Sequence, residues 1–266
     1  MEKRRITKPL KTFELLDVKN LKVEYTNGKK QFIAVNGISF SVKKNKTTAL
    51  VGESGCGKTT TGMAILKLLP IKSGQILWRG KDLISLSPSE FRPFRKKIQI
   101  IFQNPDSSLN PKLSIKSSMR EALELSHPKE KNMWNDIIAD RFEKVGLDPS
   151  YLSRYPHEFS GGQLQRIGIA RALCVEPELI ICDEPVSSLD VSIQAQILNL
   201  LMDLQDQLGL SYLFISHDLS VVRHIAQEVA VMYRGTIKEM GKVDDVFSNP
   251  QSSYTQELLD SIPGNH

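Results

Sequence analysis

The sequence predicts an α/β fold: a mainly parallel sheet covered by helices on both faces, with an antiparallel β-subdomain and an inserted helical subdomain. Three observations carry this. Short apolar runs at 179–182, 212–215 and 229–232 alternate with helical stretches, the pattern of strands buried on both faces of a parallel sheet. Between the first two runs, Ile193, Ile197, Leu200, Leu201, Leu204 and Leu208 recur at helical spacing and Gly209 closes the segment, as an amphipathic helix requires. From Leu15 to about Val42, alternating segments are broken at Thr26-Asn27-Gly28 and Asn36-Gly37, both of which read as hairpin turns.

In chain order, residues 1–13 form a polar, basic tail expected to fray, and the main domain is expected over 14–240. A buried strand at 47–51 runs into a glycine-rich loop, and the helix after it is stopped by Pro70. Another strand is expected at 98–102. The stretch from about Leu113 to His157 is helical in pattern but interrupted by prolines, which places a helical insertion near 104–158. Residues 241–266 form a short C-terminal element, by composition a loop and helix with no evident function. Parallel sheets bind ligands at the carboxyl ends of their strands, and the motifs below fall there.

The 266 residues are 40% hydrophobic and 24% charged, an ordinary globular composition. Lys and Arg exceed Asp and Glu by 35 to 30, a surplus small enough to be a solvated surface rather than a nucleic-acid footprint. No apolar run approaches the ~20 residues that span a bilayer. Met1-Glu2-Lys3-Arg4-Arg5 lacks an apolar segment behind it, so it does not read as a signal peptide. A membrane role would therefore be peripheral. Cys56, Cys174 and Cys182 have no CxxC spacing and read as reduced thiols, not as a disulfide, zinc or iron–sulfur frame.

Gly52-Glu53-Ser54-Gly55-Cys56-Gly57-Lys58-Thr59 matches G-x-x-x-x-G-K-[ST] at every fixed position. The glycines let successive N–H groups face phosphate oxygens, and the following helix adds its positive end. Lys58 would reach the β- and γ-phosphates, and the Thr59 hydroxyl would ligate Mg²⁺. Cys56 occupies an unspecified position in the loop and reads as an inert small residue.

The strand 179–182 ends in Asp183-Glu184. Asp183 is placed to hold Mg²⁺, and Glu184 to polarise an attacking water as general base. A helix-capping role for one of the two stays open because Pro185 and Ser187-Ser188 follow. Ser160-Gly161-Gly162-Gln163 has the form of a capping box, which alone means a well-capped helix. Its two glycines also bare N–H groups at a positive helix end, an anion site beyond the one the phosphate loop already serves.

Taken together, these residues resemble the ABC-type ATPases. Phe159-Ser160-Gly161-Gly162-Gln163 is similar to that family's signature motif, where leucine is commoner first. Gln103, after strand 98–102, resembles the Q-loop glutamine; Asp183 and Glu184, the Walker B acid and catalytic glutamate; Ser188-Leu189-Asp190, the D-loop; and His217, after strand 212–215, the switch histidine. Tyr25 resembles the aromatic residue that stacks on adenine, with Phe32 as its rival. The resemblance covers about residues 14 to 262. It implies a P-loop NTPase core of the RecA-like type and ATP with Mg²⁺ as ligands, the metal being held by Thr59, Gln103 and Asp183. It implies contacts to nucleotide from Tyr25, Gly52, Ser54, Gly55, Cys56, Gly57, Lys58, Thr59 and Thr60. Catalysis would rest on Glu184, His217, Gln103 and Lys58.

The same resemblance implies a head-to-tail pair of ATPase subunits, identical or homologous. Ser160, Gly161, Gly162, Gln163 and Asp190 of one would meet nucleotide held by the other. It implies two integral membrane permease subunits, an extracytoplasmic solute-binding protein reached through them, and a place on the cytoplasmic face of the cell membrane, with no nucleic-acid partner. Gln103-Asn104-Pro105, Ser108-Leu109-Asn110-Pro111, Cys182-Asp183-Glu184-Pro185-Val186, Asp190-Val191-Ser192-Ile193-Gln194-Ala195-Gln196 and the tail from Asn249 to Leu259 look like the peptide and nickel importer branch. The expected function is therefore ATP-driven import of oligopeptides or dipeptides. Import of nickel or another small solute is the first alternative, and an ABC-type ATPase acting without a transporter the second. A simple P-loop kinase would not need the signature and switch motifs. There are departures: Asn45-Lys46 stands where the family usually has Gly-Glu, Leu164 replaces a common basic residue, and Asp106 replaces a frequent aromatic. No cysteine follows Cys182, so the cysteine-rich extension of some members is absent from this sequence.

Overall fold

Leu179 and Ile181 pack into one core while Ile180 and Cys182 pack into another, the two-residue repeat of a strand buried on both faces. In the computed structural model, which describes residues 14–27, 30–104 and 109–261, this strand is β7 of a six-stranded sheet. The basic tail, the tip of the first predicted turn at Gly28 and residues 105–108 lie outside the described residues.

The first strands are β1 (Leu16–Asn27), β2 (Lys30–Val42) and β3 (Thr47–Val51), followed by helix α1 (Lys58–Ile65). Then come β4 (Ser73–Trp78), β5 (Lys81–Asp82), α2 (Pro88–Lys97) and β6 (Ile98–Ile101). Helices α3 (Ile115–Ser126), α4 (Trp134–Lys144) and α5 (Gly161–Leu173) precede β7 (Leu179–Asp183). The chain continues through α6 (Val191–Leu208), β8 (Ser211–Ser216), α7 (Leu219–Ile225), β9 (Glu228–Tyr233), β10 (Thr236–Lys242), α8 (Val243–Ser248) and α9 (Ser253–Asp260).

The large sheet runs β10-β9-β3-β8-β7-β6, with β6, β7, β8, β3 and β9 parallel and β10 antiparallel at the edge. The small sheet, β2-β1-β4-β5, is antiparallel. The predicted α/β class holds, and the parallel strands stand where the apolar runs placed them. Strands β4, β5 and β10 and helix α2 were not anticipated. The first and last of the strands alternate partly exposed positions with buried or half-buried ones, which blurs the apolar signal.

Two local expectations are corrected. Asn36-Gly37 is not a hairpin turn: β2 runs through it. Leu21 pairs with Ile38 and Lys22 with Asn36, so Gly37, at φ 75, is the extra residue of a bulge. Asn36 is tied elsewhere, its N–H donating to the Gly235 carbonyl at 2.7 Å. The helix after the glycine-rich loop ends at Ile65, before Pro70. Lys67 enters the left-handed region at φ 54, and its Nζ donates to the carbonyls of Leu83, Ile84 and Leu86 at 3.1, 3.0 and 2.6 Å.

The departure at Asn45 has a backbone explanation. It adopts φ 56, a conformation that glycine takes freely and asparagine tolerates. Leu164 is buried in the helical core. Between β6 and β7, α3 and α4 pack on each other and on α5, and the prolines seen in the sequence open short 3₁₀ turns at Pro149–Ser153 and Pro156–Glu158. The three cysteines are buried and free. Among the described residues no helix is long and apolar enough to cross a membrane.

Candidate nucleotide site

The loop between β3 and α1 is shaped by close backbone approaches. Gly52, Gly55 and Gly57 have φ of 149, 78 and 111. A Cβ on Gly52 would stand 2.0 Å from the Met232 carbonyl oxygen, and one on Gly57 would stand 2.4 Å from that of Ala34. Both are contacts no side chain survives, so glycine at these positions is a steric demand of β9 and β2 as well as a means of approaching phosphate. Gly55 has open space around it, and its conformation alone favours glycine.

Lys58, the first residue of α1, is 4% exposed, yet its ammonium is fully engaged. It donates to the carbonyls of Gly52 and Glu53 at 2.7 and 2.9 Å and lies 3.9 Å from Glu184 Oε1. The loop thus curls around its own cation, the geometry of an anion cradle. Thr59 Oγ1 donates to Asp183 Oδ1 at 2.9 Å. Burial pushes the Asp183 carboxyl above its ordinary value. The Thr59 hydrogen bond opposes the shift, the Glu184 charge adds to it and the Lys58 charge opposes it. Hydroxyl and carboxylate together are hard oxygen donors, the set that suits Mg²⁺ shared with phosphates and water.

At the mouth of β7 the chain turns sharply. Glu184 takes φ 48, and its N–H donates to the Ile215 carbonyl of β8 at 3.0 Å. This fixes its carboxylate between two neighbours: Oε2 accepts from Gln103 Nε2 at 3.3 Å and lies 3.0 Å from His217 Nδ1. Gln103 follows β6 and His217 follows β8, so three strand ends deliver one constellation. Pro185 and Ser187 continue the turn, with the Glu184 carbonyl accepting from Ser187.

Tyr25, on β1, is brought to the same place: its hydroxyl lies 3.3 Å from Thr60 Oγ1 in the first turn of α1. Phe32 is its cross-strand neighbour and is 63% exposed. Cys56 is buried beneath the loop, its thiol pushed up by burial, which fits an inert residue.

Ser160, Gly161, Gly162 and Gln163 open α5 as the capping box expected. Ser160 N–H donates to Gln163 Oε1 at 3.0 Å, and Gln163 N–H donates to Ser160 Oγ at 3.4 Å. Ser160 and Gly161 are exposed. Asp190 precedes α6 and is exposed, with no side-chain cap bond. Among the described residues no hydrogen bond or ion pair joins either segment to the phosphate loop.

Sequence reading missed the residues that hold the phosphate loop from outside: Met232, Ala34, Gly235 and Tyr254. Gly235 N–H donates to the Cys56 carbonyl at 2.9 Å, and Tyr254 Oη accepts from Glu53 N–H at 3.2 Å. Tyr233-Arg234-Gly235 carries a turn signal, but nothing in the pattern links it or Tyr254 to the loop.

Residues 35–187 match the ABC transporter family. Over 231 residues the chain is 52% identical to the oligopeptide transport ATP-binding protein AppF of Bacillus subtilis, covering 86% of this chain and 70% of that one. It is 48% identical over 262 residues to the oligopeptide transport ATP-binding protein OppF of Escherichia coli, with 94% and 78% covered. Against the dipeptide transport ATP-binding protein DppF of the same organism it is 47% identical, with 94% and 76% covered. Among solved structures, it resembles an ATP-binding cassette dimer in a post-hydrolysis state bound to ADP and Pi, at TM-score 0.77 and 24% identity, covering 86% of this chain and 98% of that one. It also resembles CbiO1 of Clostridium perfringens, part of an ABC transporter complex, at TM-score 0.78 and 28% identity, covering 89% and 92%.

Proposed function

Because this chain belongs to the ABC transporter family, we propose that it is the ATP-binding, ATP-hydrolysing subunit of an importer of oligopeptides or dipeptides. The observation that carries the hydrolytic reading is the convergence of Gln103 and His217 on one oxygen of Glu184, with Lys58 and the Thr59–Asp183 pair beside it.

The roles follow from that arrangement. Loop amides from Ser54 to Thr60, with the N-terminal end of α1, cradle the phosphates, and Lys58 neutralises them from within. Thr59 and Asp183, with Gln103, would hold Mg²⁺, which would offset phosphate charge. Glu184 draws a proton from the attacking water, held in place by Gln103 and His217. His217 faces the transferred phosphoryl group and stabilises its charge. Tyr25 stacks on the adenine. Residues 14–240 make up the ATP-binding domain, with the helical insertion near 104–158 and a C-terminal element from 241.

The exposed α5 terminus at Ser160, Gly161, Gly162 and Gln163, with Asp190, meets nucleotide held by a second ATPase subunit in a head-to-tail pair. Several relatives are named oligopeptide or dipeptide transport ATP-binding proteins, which supports two permease subunits as membrane partners, a peripheral cytoplasmic position and an external solute-binding protein. The test is reconstitution in vesicles with the cognate permease pair and binding protein. Peptide-stimulated, Mg²⁺-dependent ATP hydrolysis with peptide uptake is expected. Stimulation by nickel but by no peptide would overturn the substrate class.

A further inference from the structure

The phosphate loop is gripped on its outer side by three groups from the C-terminal third of the chain. The Met232 carbonyl fills the space beside Gly52, the Gly235 N–H holds the Cys56 carbonyl, and the Tyr254 hydroxyl accepts the Glu53 N–H at 3.2 Å. The first two are backbone groups in and just after β9. Tyr254 is different: it is a side chain on α9, in the element that composition left without a role.

Its position is fixed from both directions. The Tyr254 ring packs against Tyr233 with centroids 4.3 Å apart and planes inclined at 45°. The start of α9 is held by β10, where the Glu239 carboxylate accepts the N–H groups of Gln251 and Ser252 at 2.8 and 3.0 Å. Packing on Tyr233 would be served equally by phenylalanine. Among the described residues the hydroxyl has one hydrogen-bond partner, and it is the second residue of the phosphate loop. That amide points away from the cradle, so it cannot itself serve a phosphate while bonded to Tyr254. Its bond sets the direction of the adjoining loop peptides that do face inward.

We propose that Tyr254 is a positioning residue for nucleotide binding: through the Glu53 amide, α9 holds the phosphate loop in its cradle shape. This rests on the ATPase reading above. A loop shaped in advance improves binding of ground state and transition state alike, so its loss shows chiefly in KM.

The experiment compares the parental chain, Tyr254→Phe and Tyr254→Ala in the assembled transporter. A parallel measurement follows amide exchange of the isolated ¹⁵N-labelled chain with ADP and Mg²⁺. Tyr254→Phe keeps the ring on Tyr233, so its Tm should match the parent. Its KM for ATP should rise about threefold to tenfold, the range of one neutral hydrogen bond, with a smaller change in kcat. Tyr254→Ala should raise KM at least as far. The Glu53 amide should exchange several times faster in Tyr254→Phe while amides in β7 are unaffected. An unchanged KM in Tyr254→Phe, whether or not Tm falls, overturns the proposal and leaves Tyr254 a packing residue. A raised KM with unaltered Glu53 exchange overturns the route through that amide. If the parental transporter hydrolyses no ATP, the ATPase reading fails, while Glu53 exchange still decides whether the hydroxyl holds the loop.

Discussion

Ile193 Cγ2 lies 2.6 Å from where a Cβ on Gly162 would stand. The second glycine at the head of α5 is therefore required by the packing of α5 against α6, independently of any anion the bare N–H groups bind. Gly161 is not so confined, its nearest neighbour being Leu189 Cδ2 at 3.5 Å. We expect Gly162→Ala to destabilise the fold by about 1–2 kcal/mol, as overpacking does. Adding Ile193→Ala should remove that penalty beyond its own cost. Urea denaturation of the parent and the three variants in this cycle checks it, and additive losses would mean that the two residues do not collide.

Glu184→Gln should keep ATP binding and lower turnover by at least ~10²-fold, the contribution of a general base. Lys58→Ala should instead weaken binding itself, because it empties the centre of the cradle. Equilibrium binding of a fluorescent ATP analogue, read beside steady-state hydrolysis, separates the two. Parental turnover in Glu184→Gln would refute the assignment of the base.

Ser160→Arg should leave nucleotide binding by the monomer intact. Placing a bulky cation at the exposed end of α5 should abolish ATP-dependent pairing, even in the Glu184→Gln background where a closed pair accumulates. Light scattering with ATP and Mg²⁺ reads this, run with the chain alone and with its ATPase partner. Pairing that survives Ser160→Arg would reduce the motif to a helix cap.

Asp183→Asn preserves an acceptor for the Thr59 hydroxyl and removes the charge. Binding of Mg²⁺–ATP should then fall towards that of metal-free ATP, while affinity for metal-free ATP changes little. Titration with and without a chelator distinguishes this from general damage to the loop, which would lower both.

Glu239 makes stability depend on pH at the C-terminal element. Burial raises its carboxyl, but the Gln251 amide, the Thr255 side chain and the Ser252 amide together outweigh that and hold it below its ordinary 4.5. A depressed acid contributes stability that is present above its unfolded value and lost as pH falls through the folded one. Glu239→Gln should therefore cost about 1 kcal/mol at pH 7, and the gap to the parent should close once pH falls well below the ordinary 4.5. Urea midpoints at pH 7 and in that lower range test the sign.

The parts legible in the sequence are those where chemistry or burial dictates residue type at fixed spacing. Lys58 must follow the glycines, Asp183 and Glu184 must follow an apolar strand, and a strand buried on both faces must be a continuous apolar run. Parts set by tertiary partners were not legible. The bond between Tyr254 and Glu53 spans 201 positions, and no local pattern encodes it. Asn36-Gly37 has the composition of a turn, yet Asn36 spends its N–H on Gly235 and the pair becomes a bulge. Asn45 departs from the family's usual glycine in identity but adopts a left-handed conformation open to both residues, which sequence alone could not show.

Gly235 bonds in two directions: its carbonyl takes the Asn36 amide from the small sheet at 2.7 Å, and its N–H reaches Cys56 in the phosphate loop at 2.9 Å. The β9–β10 turn is thus a spacer of fixed length. One residue inserted between Tyr233 and Thr236 would displace Gly235 by about 3.3 Å, enough to break both bonds at once. Tags, linkers and loop grafts are poorly placed there, because the sheet that carries Tyr25 and the loop that carries Lys58 are both tied to this residue.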